Sequence, residues 1–517
     1  MADTIAKNEH GEIEQTTSVA DGDIAAIHLS KAPVKANIGP LSIVALGFNI
    51  CNSWAGLSAS LQIALLQGGP AGLLYGMFVS TFATFADALT LAELASVYPT
   101  AGGQYHFVSI LCPDKINLFT SYFCGIFSIF SWIAIGSAVL IIPAEQISAL
   151  ASAHYPEYEP QDWHKFLMYQ AMLLLVLVSN TFVLKRSPRF HDVGFAFTIT
   201  LFFATAITLL ARSTPKASST FVWTSFINQT GWSDGLCFFS GLLTTCFQYA
   251  GLDGALHLAE ECKDPQKTVP RAMIAAVTIG FCTAFPFAII VLYSVADIDA
   301  ILNTTGYLTL EVYTQGMRSQ AAATVFTAVG VLIAWFVLNA VLQTSSRITW
   351  SFARDNALTF SKHLVKIHPK LEVPVFSLLL NYAILVVCGC IFLASRTAFN
   401  AILSSCVVLQ QISFIMPAAL LIYRRRSSAF LPENRAFRLP SIVGWTANIV
   451  VVVLGLIFTV VFCIPPFRPV TPSSMNYSSV MIGIAFFLVL INWFVHGKKH
   501  YHGPRIEFHG PTHHIQR

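Results

Sequence analysis

Residues 238–261 read FFSGLLTTCFQYAGLDGALHLAEE. An apolar helix runs in from Phe238, breaks over Gln248, Tyr249, Ala250, Gly251 and Leu252, and resumes at Asp253 and Gly254. Residues 41–66, LSIVALGFNICNSWAGLSASLQIALL, repeat the pattern, with Asn49, Asn52, Ser53, Trp54 and Gly56 at their centre. Such polar clusters are costly at mid-bilayer unless they line a cavity. Two interrupted spans five helices apart predict two five-helix repeats, and because five is odd the second is inverted relative to the first. That is the pattern of a secondary transporter whose site lies where the half-helices meet. Close helix packing, another use of Gly and small polar residues in membrane helices, stays open as the alternative. Unwinding frees N–H groups at a half-helix start, which suit a carboxylate. It also frees carbonyls at a half-helix end, which suit a cation or an ammonium group.

The rest of the chain agrees with a membrane reading. Of 517 residues, 55% are hydrophobic and 11% charged, with 41 Phe and a mean hydropathy of +0.64. Soluble domains carry about 25% charged residues, so an ordinary cytosolic enzyme, a disordered chain and a secreted disulfide scaffold are excluded. A net charge of +4 is too small to imply a nucleic-acid partner. The 11 Cys include no CxxC pair, and no metal site, cofactor or disulfide framework is expected. Apolar stretches of crossing length fall at about 42–66, 70–94, 117–142, 164–184, 190–211, 234–259, 271–296, 321–346, 374–395, 398–423, 441–464 and 477–496. Twelve spans put both termini on one side. With the termini inside, 24 of the 30 Lys and Arg fall on inner segments, as the positive-inside rule demands. The sequons at Asn228, Asn303 and Asn476 then lie on outer loops, where glycosylation is expected. No cleavable signal precedes the first span, so that span serves as the anchor.

Three further stretches carry a resemblance: AELASVYPTAGGQYHFV at 92–108, YAGLDGALHLAEECKDPQKTVPRAM at 249–273, and SSRITWSFARDNALTFSKHL at 345–364 with Val373-Pro374 beyond it. Together they resemble the amino acid–polyamine–organocation superfamily. The NSW of the first span and the DGALHLAEE of the sixth are most similar to its fungal amino acid/choline transporter group, which includes GABA and choline permeases. The resemblance covers spans one to ten. It implies an all-α, twelve-helix membrane protein with a leucine-transporter-like inverted-repeat core, broken helices 1 and 6, and alternating access. The expected organisation is a disordered cytoplasmic tail over 1–36, the ten-helix core over 37–423, a linker with spans 11 and 12 over 424–496, and a His-rich cytoplasmic tail over 497–517. One departure is informative: Asn52-Ser53-Trp54 replaces the family's glycine-rich first break. Without those glycines a backbone cradle for a carboxylate weakens, whereas Trp54 suits an amine or quaternary ammonium through cation–π contact.

The candidate substrate residues are therefore Asn52, Ser53, Trp54, Gly56, Tyr249, Gly251 and Asp253, joined by Trp132 in the third span and Asn339 in the eighth. Asp253 reads either as a counter-charge or proton-linked carboxylate, or as an N-cap of the second half-helix. Candidate coupling and gating residues are Asp87, on a polar stripe with Ser80, Thr84 and Thr90; His257, which titrates near neutral pH or packs through hydrogen bonds; and Glu260. Glu260, with Glu261, reads as a gate by resemblance and as a solvated helix end by itself. Ser345 and Ser346 lie near where sodium-dependent members place hydroxyl ligands. The His-rich residues 496–514 read as an unstructured tail rather than a metal site.

The expectation is a plasma-membrane permease, not an enzyme, importing choline, GABA or an amino acid by proton symport, with both termini cytoplasmic. Its partners are that solute, protons and the bilayer. The alternatives are a non-transporting nutrient sensor of the same fold, or a transporter of a specialised-metabolite precursor or product. A membrane-embedded enzyme would need a nucleophile–base pair or an HExxH helix, and the sequence has neither.

Overall fold

A computed structural model describes residues 37–504, except 185–186, 188, 303–306 and 473. Twelve helices are long and apolar enough to cross a bilayer. They are α1 (Pro40–Leu66), α2 (Gly69–Val97), α3 (Asn117–His154), α4 (Asp162–Val183), α5 (Phe190–Arg212) and α6 (Asp234–Glu261). The second six are α7 (Pro265–Ser294), α8 (Gln320–Arg354), α9 (Val375–Ala394), α10 (Arg396–Tyr423), α11 (Ser441–Val461) and α12 (Ser478–His500). Among the described residues there is no β-strand, only two isolated backbone bridges. The molecule is thus an all-α membrane protein of twelve spans.

Helix ends outrun the apolar windows at α3 and α8. Hydropathy locates the part that crosses, not the point where backbone hydrogen bonding stops. The 38 residues of α3 span about 57 Å, nearly twice a hydrocarbon core of about 30 Å, so α3 is tilted or projects beyond it. Its apolar window is 78% buried and that of α12 only 17%, which makes α3 central and α12 a lipid-facing outer helix.

Both expected breaks are present. α1 divides into α1a (Pro40–Cys51) and α1b (Ser53–Leu66) at Asn52, whose φ of 35° and ψ of 57° lie in the left-handed region. Asn is among the few non-glycine residues that visit it readily. α6 divides into α6a (Asp234–Phe247) and α6b (Leu252–Glu261), separated by a turn that ends on Gly251 at φ 84°. α6b is wound as 3₁₀ over ten residues, well past the usual three or four. Glycine is required here by space as well as by φ. A Cβ on Gly251 would stand 2.4 Å from Ile50 Cγ2, and one on Gly254 2.3 Å from Ile50 Cδ1. The two breaks therefore interlock.

The described chain ends meet one face, called here the terminal face. Ile38 pairs with α6b through backbone bonds, its N–H donating to Glu261 O (3.0 Å) and its carbonyl accepting from Lys263 N–H (3.0 Å). At the other end Tyr501 is buried, bonded to Ser121 at 2.8 Å and packed edge-on to Tyr122. Tyr501 completes the aromatic cluster at the foot of α3, whereas its neighbours Lys498, Lys499, His500 and His502 are exposed.

Candidate functional site

A cavity of about 70 Å³ opens at the α1 break. Asn52, Trp54 and Gly56 line it from α1, Phe247 and Ala250 from α6, Ile142 and Gln146 from α3, and Phe326 and Thr327 from α8. Tyr307 and Tyr313, from the segment between α7 and α8, close the far side. No charged side chain lines it. Several buried polar atoms here have no hydrogen-bond partner among the described residues: both amide atoms of Asn52, Trp54 Nε1, Gln146 Oε1 and Thr327 Oγ1. Beside them, Ser53 Oγ and both amide atoms of Gln248 are also unpartnered. Each such group costs about 1–3 kcal/mol when left unmet. Of the first N–H groups of α1b, those of Ala55 and Gly56 donate to the Asn52 carbonyl at 3.0 and 2.9 Å, which leaves those of Ser53 and Trp54 as the open helix start. A Cβ on Gly56 would stand 3.6 Å from Gln248 Cα, so the two half-helices pass at van der Waals distance.

Towards the terminal face the picture reverses. Asp253 is 1% exposed and its carboxylate is ringed by four hydrogen-bonding side chains. Gln104 Nε2 donates to Oδ2 at 2.6 Å and Trp132 Nε1 at 3.3 Å, His257 Nε2 lies 3.0 Å from the same oxygen, and Gln410 Nε2 donates to Oδ1 at 2.9 Å. No side-chain cap bond is made at the start of α6b, and Asp253 does not line the cavity. His257 reaches the Ala101 carbonyl through Nδ1 at 2.9 Å. Gln410 also accepts from the Gly251 N–H at 3.3 Å, tying this cluster to the break.

Beyond the cluster, ion pairs close the terminal face. Arg354 grips Glu260 with two bonds of 2.7 and 2.9 Å, and Ala101 N–H donates to the same carboxylate. Arg347 holds Glu261 at 2.5 Å, and Glu93 binds Arg426 and Arg435. The Ala101-Gly102-Gly103-Gln104 stretch is explained by this packing. Gly103 has φ +57°, and a Cβ on it would meet Leu256 at 2.8 Å; a Cβ on Gly102 would meet His106 at 2.4 Å. On the opposite side of the breaks a larger cavity, about 430 Å³, is bounded by Glu145, Lys165, Arg396 and Asn400. Ile142 and Phe247 line both cavities and form the partition between them.

The other candidates lie off the cavity. Tyr249 directs its hydroxyl to Thr81 (2.8 Å), and Ser53 faces the space at Gly280. Trp132 packs over Gly251 and Gly254. Asn339 pairs with Asn180, and Asp87 accepts from Gln411 at 3.3 Å. The hydroxyls of Ser345 and Ser346 donate to carbonyls of their own helix. Asn228 is engaged by Trp232 and Asp234; Asn476 is 8% exposed and donates to the Phe462 and Ile464 carbonyls, so a glycan would need that loop to open. Asn303 lies outside the described residues. Sequence reasoning missed Gln104, Gln146, Tyr307, Tyr313 and Phe326. Only Gln104, inside a motif already singled out, offered a signal.

Twelve spans, two interlocked breaks and a cavity beside them are a frame that suits a membrane transporter of small molecules. The chain belongs to the amino acid permease family, whose model matches residues 38–487. It is 32% identical to the choline transporter of Saccharomyces cerevisiae over 493 residues, 93% of this chain and 84% of that protein. It is 30% identical to the swainsonine transporter of Arthroderma benhamiae, over 89% of this chain and 91% of that one. To amino-acid permease 2 of Neurospora crassa it is 26% identical, over 95% and 90% of the two chains.

Proposed function

We propose that this permease imports a small amine-bearing solute of the choline kind across the plasma membrane, by proton symport and alternating access between inverted repeats. Both termini are then cytoplasmic and the terminal face is the closed inner gate. The observation that carries the reading is the lining of the central cavity. Trp54, Phe247, Tyr307, Tyr313 and Phe326 supply aromatic surface, and no charged group is present. A quaternary ammonium donates no hydrogen bonds and is attracted to aromatic faces, by about 0.5–2 kcal/mol for each good contact. The free amide of Asn52 matches a hydroxyl or other polar tail. A carboxylate-bearing solute finds no cation in the lining and is left with the first N–H groups of α1b. The yeast choline transporter among the relatives supports the same choice. Transport of a specialised metabolite is a second reading, favoured by the relative named a swainsonine transporter.

The test is radiolabelled uptake in transporter-deleted yeast, comparing choline, GABA and an amino-acid panel at pH 5 and pH 7.5. Choline uptake strengthened at pH 5, with GABA inert, is the expected result. GABA or amino-acid uptake moves the site to the α1b N–H groups. No flux with protein at the surface removes the substrate assignment and favours a sensor.

A further inference from the structure

We propose that His257 and Asp253 form the site that carries the coupled proton, so that one proton bound between them locks α6b against the inner gate. The proposal rests on the proton-symport reading above and adds the residues that carry it out.

The hydrogen bonds around the imidazole carry the argument. Its Nδ1 lies 2.9 Å from the Ala101 carbonyl oxygen, which can only accept, so Nδ1 bears a hydrogen. Its Nε2 lies 3.0 Å from Asp253 Oδ2. That contact is satisfied only when one further proton sits in it, on the ring as imidazolium or on the carboxyl. Without this proton an imidazole lone pair faces an anionic oxygen at hydrogen-bond distance, inside a site where His257 is 0% and Asp253 1% exposed. Deprotonation must therefore separate the pair. The remaining carboxylate positions are already taken by Gln104, Trp132 and Gln410, which leaves the imidazole as the partner that moves.

Movement there reaches both ends of the transport path. Gln410 joins Asp253 to the Gly251 N–H and so to the α6 break. Ala101 accepts from His257 through its carbonyl and donates through its N–H to Glu260, the carboxylate held by Arg354. One residue thus connects the proton pair to the gate ion pair. The titratable groups that interact with Asp253 from other elements are Cys51 of α1a and Cys124 of α3. Towards the gate a separate charged group follows, made of Tyr105 and His106 from the helix after Gly103, Glu260 on α6b, Arg354 at the end of α8 and Asp355 just beyond it. Most have their own partners: Cys51 bonds the Tyr249 carbonyl, His106 and Tyr105 hold Asp355, and Arg354 holds Glu260. The proton step is simple: H⁺ enters from the outer side with the solute, completes the pair, and leaves to the inner side when the gate opens.

The experiment uses full-length protein in liposomes, with the membrane potential clamped at zero by valinomycin and equal potassium. For one proton per solute, each unit of pH gradient then drives up to about tenfold choline accumulation. Wild-type protein should accumulate choline with the gradient. His257→Gln, which retains a hydrogen-bond donor but cannot be protonated, should exchange internal for external choline yet accumulate none. If His257→Gln accumulates choline as wild type does, the proposal fails while the symport reading stands. Loss of exchange and accumulation together makes the pair structural and also overturns it. If wild type exchanges choline without gradient-driven accumulation, the symport reading fails. A readout independent of solute is pH-difference infrared spectroscopy of the purified protein. Wild type should show a titrating carboxylate–imidazole signal that vanishes in His257→Gln and in Asp253→Asn, and its absence in wild type overturns the proposal.

Discussion

The two sides of the helix breaks are built on opposite principles. On the cavity side, Asn52, Trp54, Gln146 and Thr327 line the space with buried polar atoms left unpartnered. A helical turn away, the Asp253 carboxylate is engaged by four side chains from α3, α6, α10 and the stretch after α2. Burial is similar in both places, so burial alone does not distinguish a binding surface from a lock. Hydrogen-bond satisfaction does. Groups left unmet are available to a solute, whereas a saturated carboxylate holds helices in register and releases only when its partners move.

Substitutions at four positions test this contrast. The largest effect is expected at the gate: Glu260→Gln leaves the Arg354 guanidinium unpaired in a mostly buried site and should cost about 3–5 kcal/mol, read as lower thermal stability in detergent. A wild-type melting curve would mean the terminal face is not held by this pair. Gly251→Ala comes next, since it combines a positive φ with a Cβ 2.4 Å from Ile50. We expect about 1–3 kcal/mol of destabilisation and loss of uptake at normal surface abundance, checked by surface biotinylation beside flux. Trp54→Leu should weaken choline binding by about 0.5–2 kcal/mol, with Trp54→Phe intermediate. Unchanged apparent affinity in both would remove Trp54 from recognition. The smallest stability effect is expected at Asn52→Gly, which keeps the left-handed turn and deletes two unsatisfied atoms. Stability should stay level or rise, by up to about 1 kcal/mol, while the apparent affinity for solute falls. A clear drop in stability would show that the amide is structural and that the contrast between the two sides is not one of function.

Much of the fold was legible because bilayer physics is local: crossing length, charge placement and chain breaks are properties of short windows. The breaks at Asn52 and Gly251 were readable for the same reason, as were the Glu260 and Glu261 positions at a helix end. The site was less so. Asn52, Trp54 and Gly56 were read correctly as neighbours of a break and do line the cavity, but Tyr307, Tyr313 and Phe326 reach it from α8 and the segment before it. Nothing in their local sequence marks them. Asp253 shows the limit from the other side: the sequence left it open between counter-charge, proton-linked carboxylate and cap, and the structure gives it no cap bond and no place in the cavity wall but a buried contact with His257.

The sequence by itself determined that the chain crosses a membrane twelve times, that helices 1 and 6 are interrupted, and which residues stand at the interruptions. Only the tertiary structure decided which of those residues are satisfied and which are free. Hydrogen-bond partners such as Gln104, Gln410 and Trp132 come to Asp253 from 121 to 157 positions away in the chain. No local pattern encodes whether a buried polar group has met its partner, because the partner arrives on another helix.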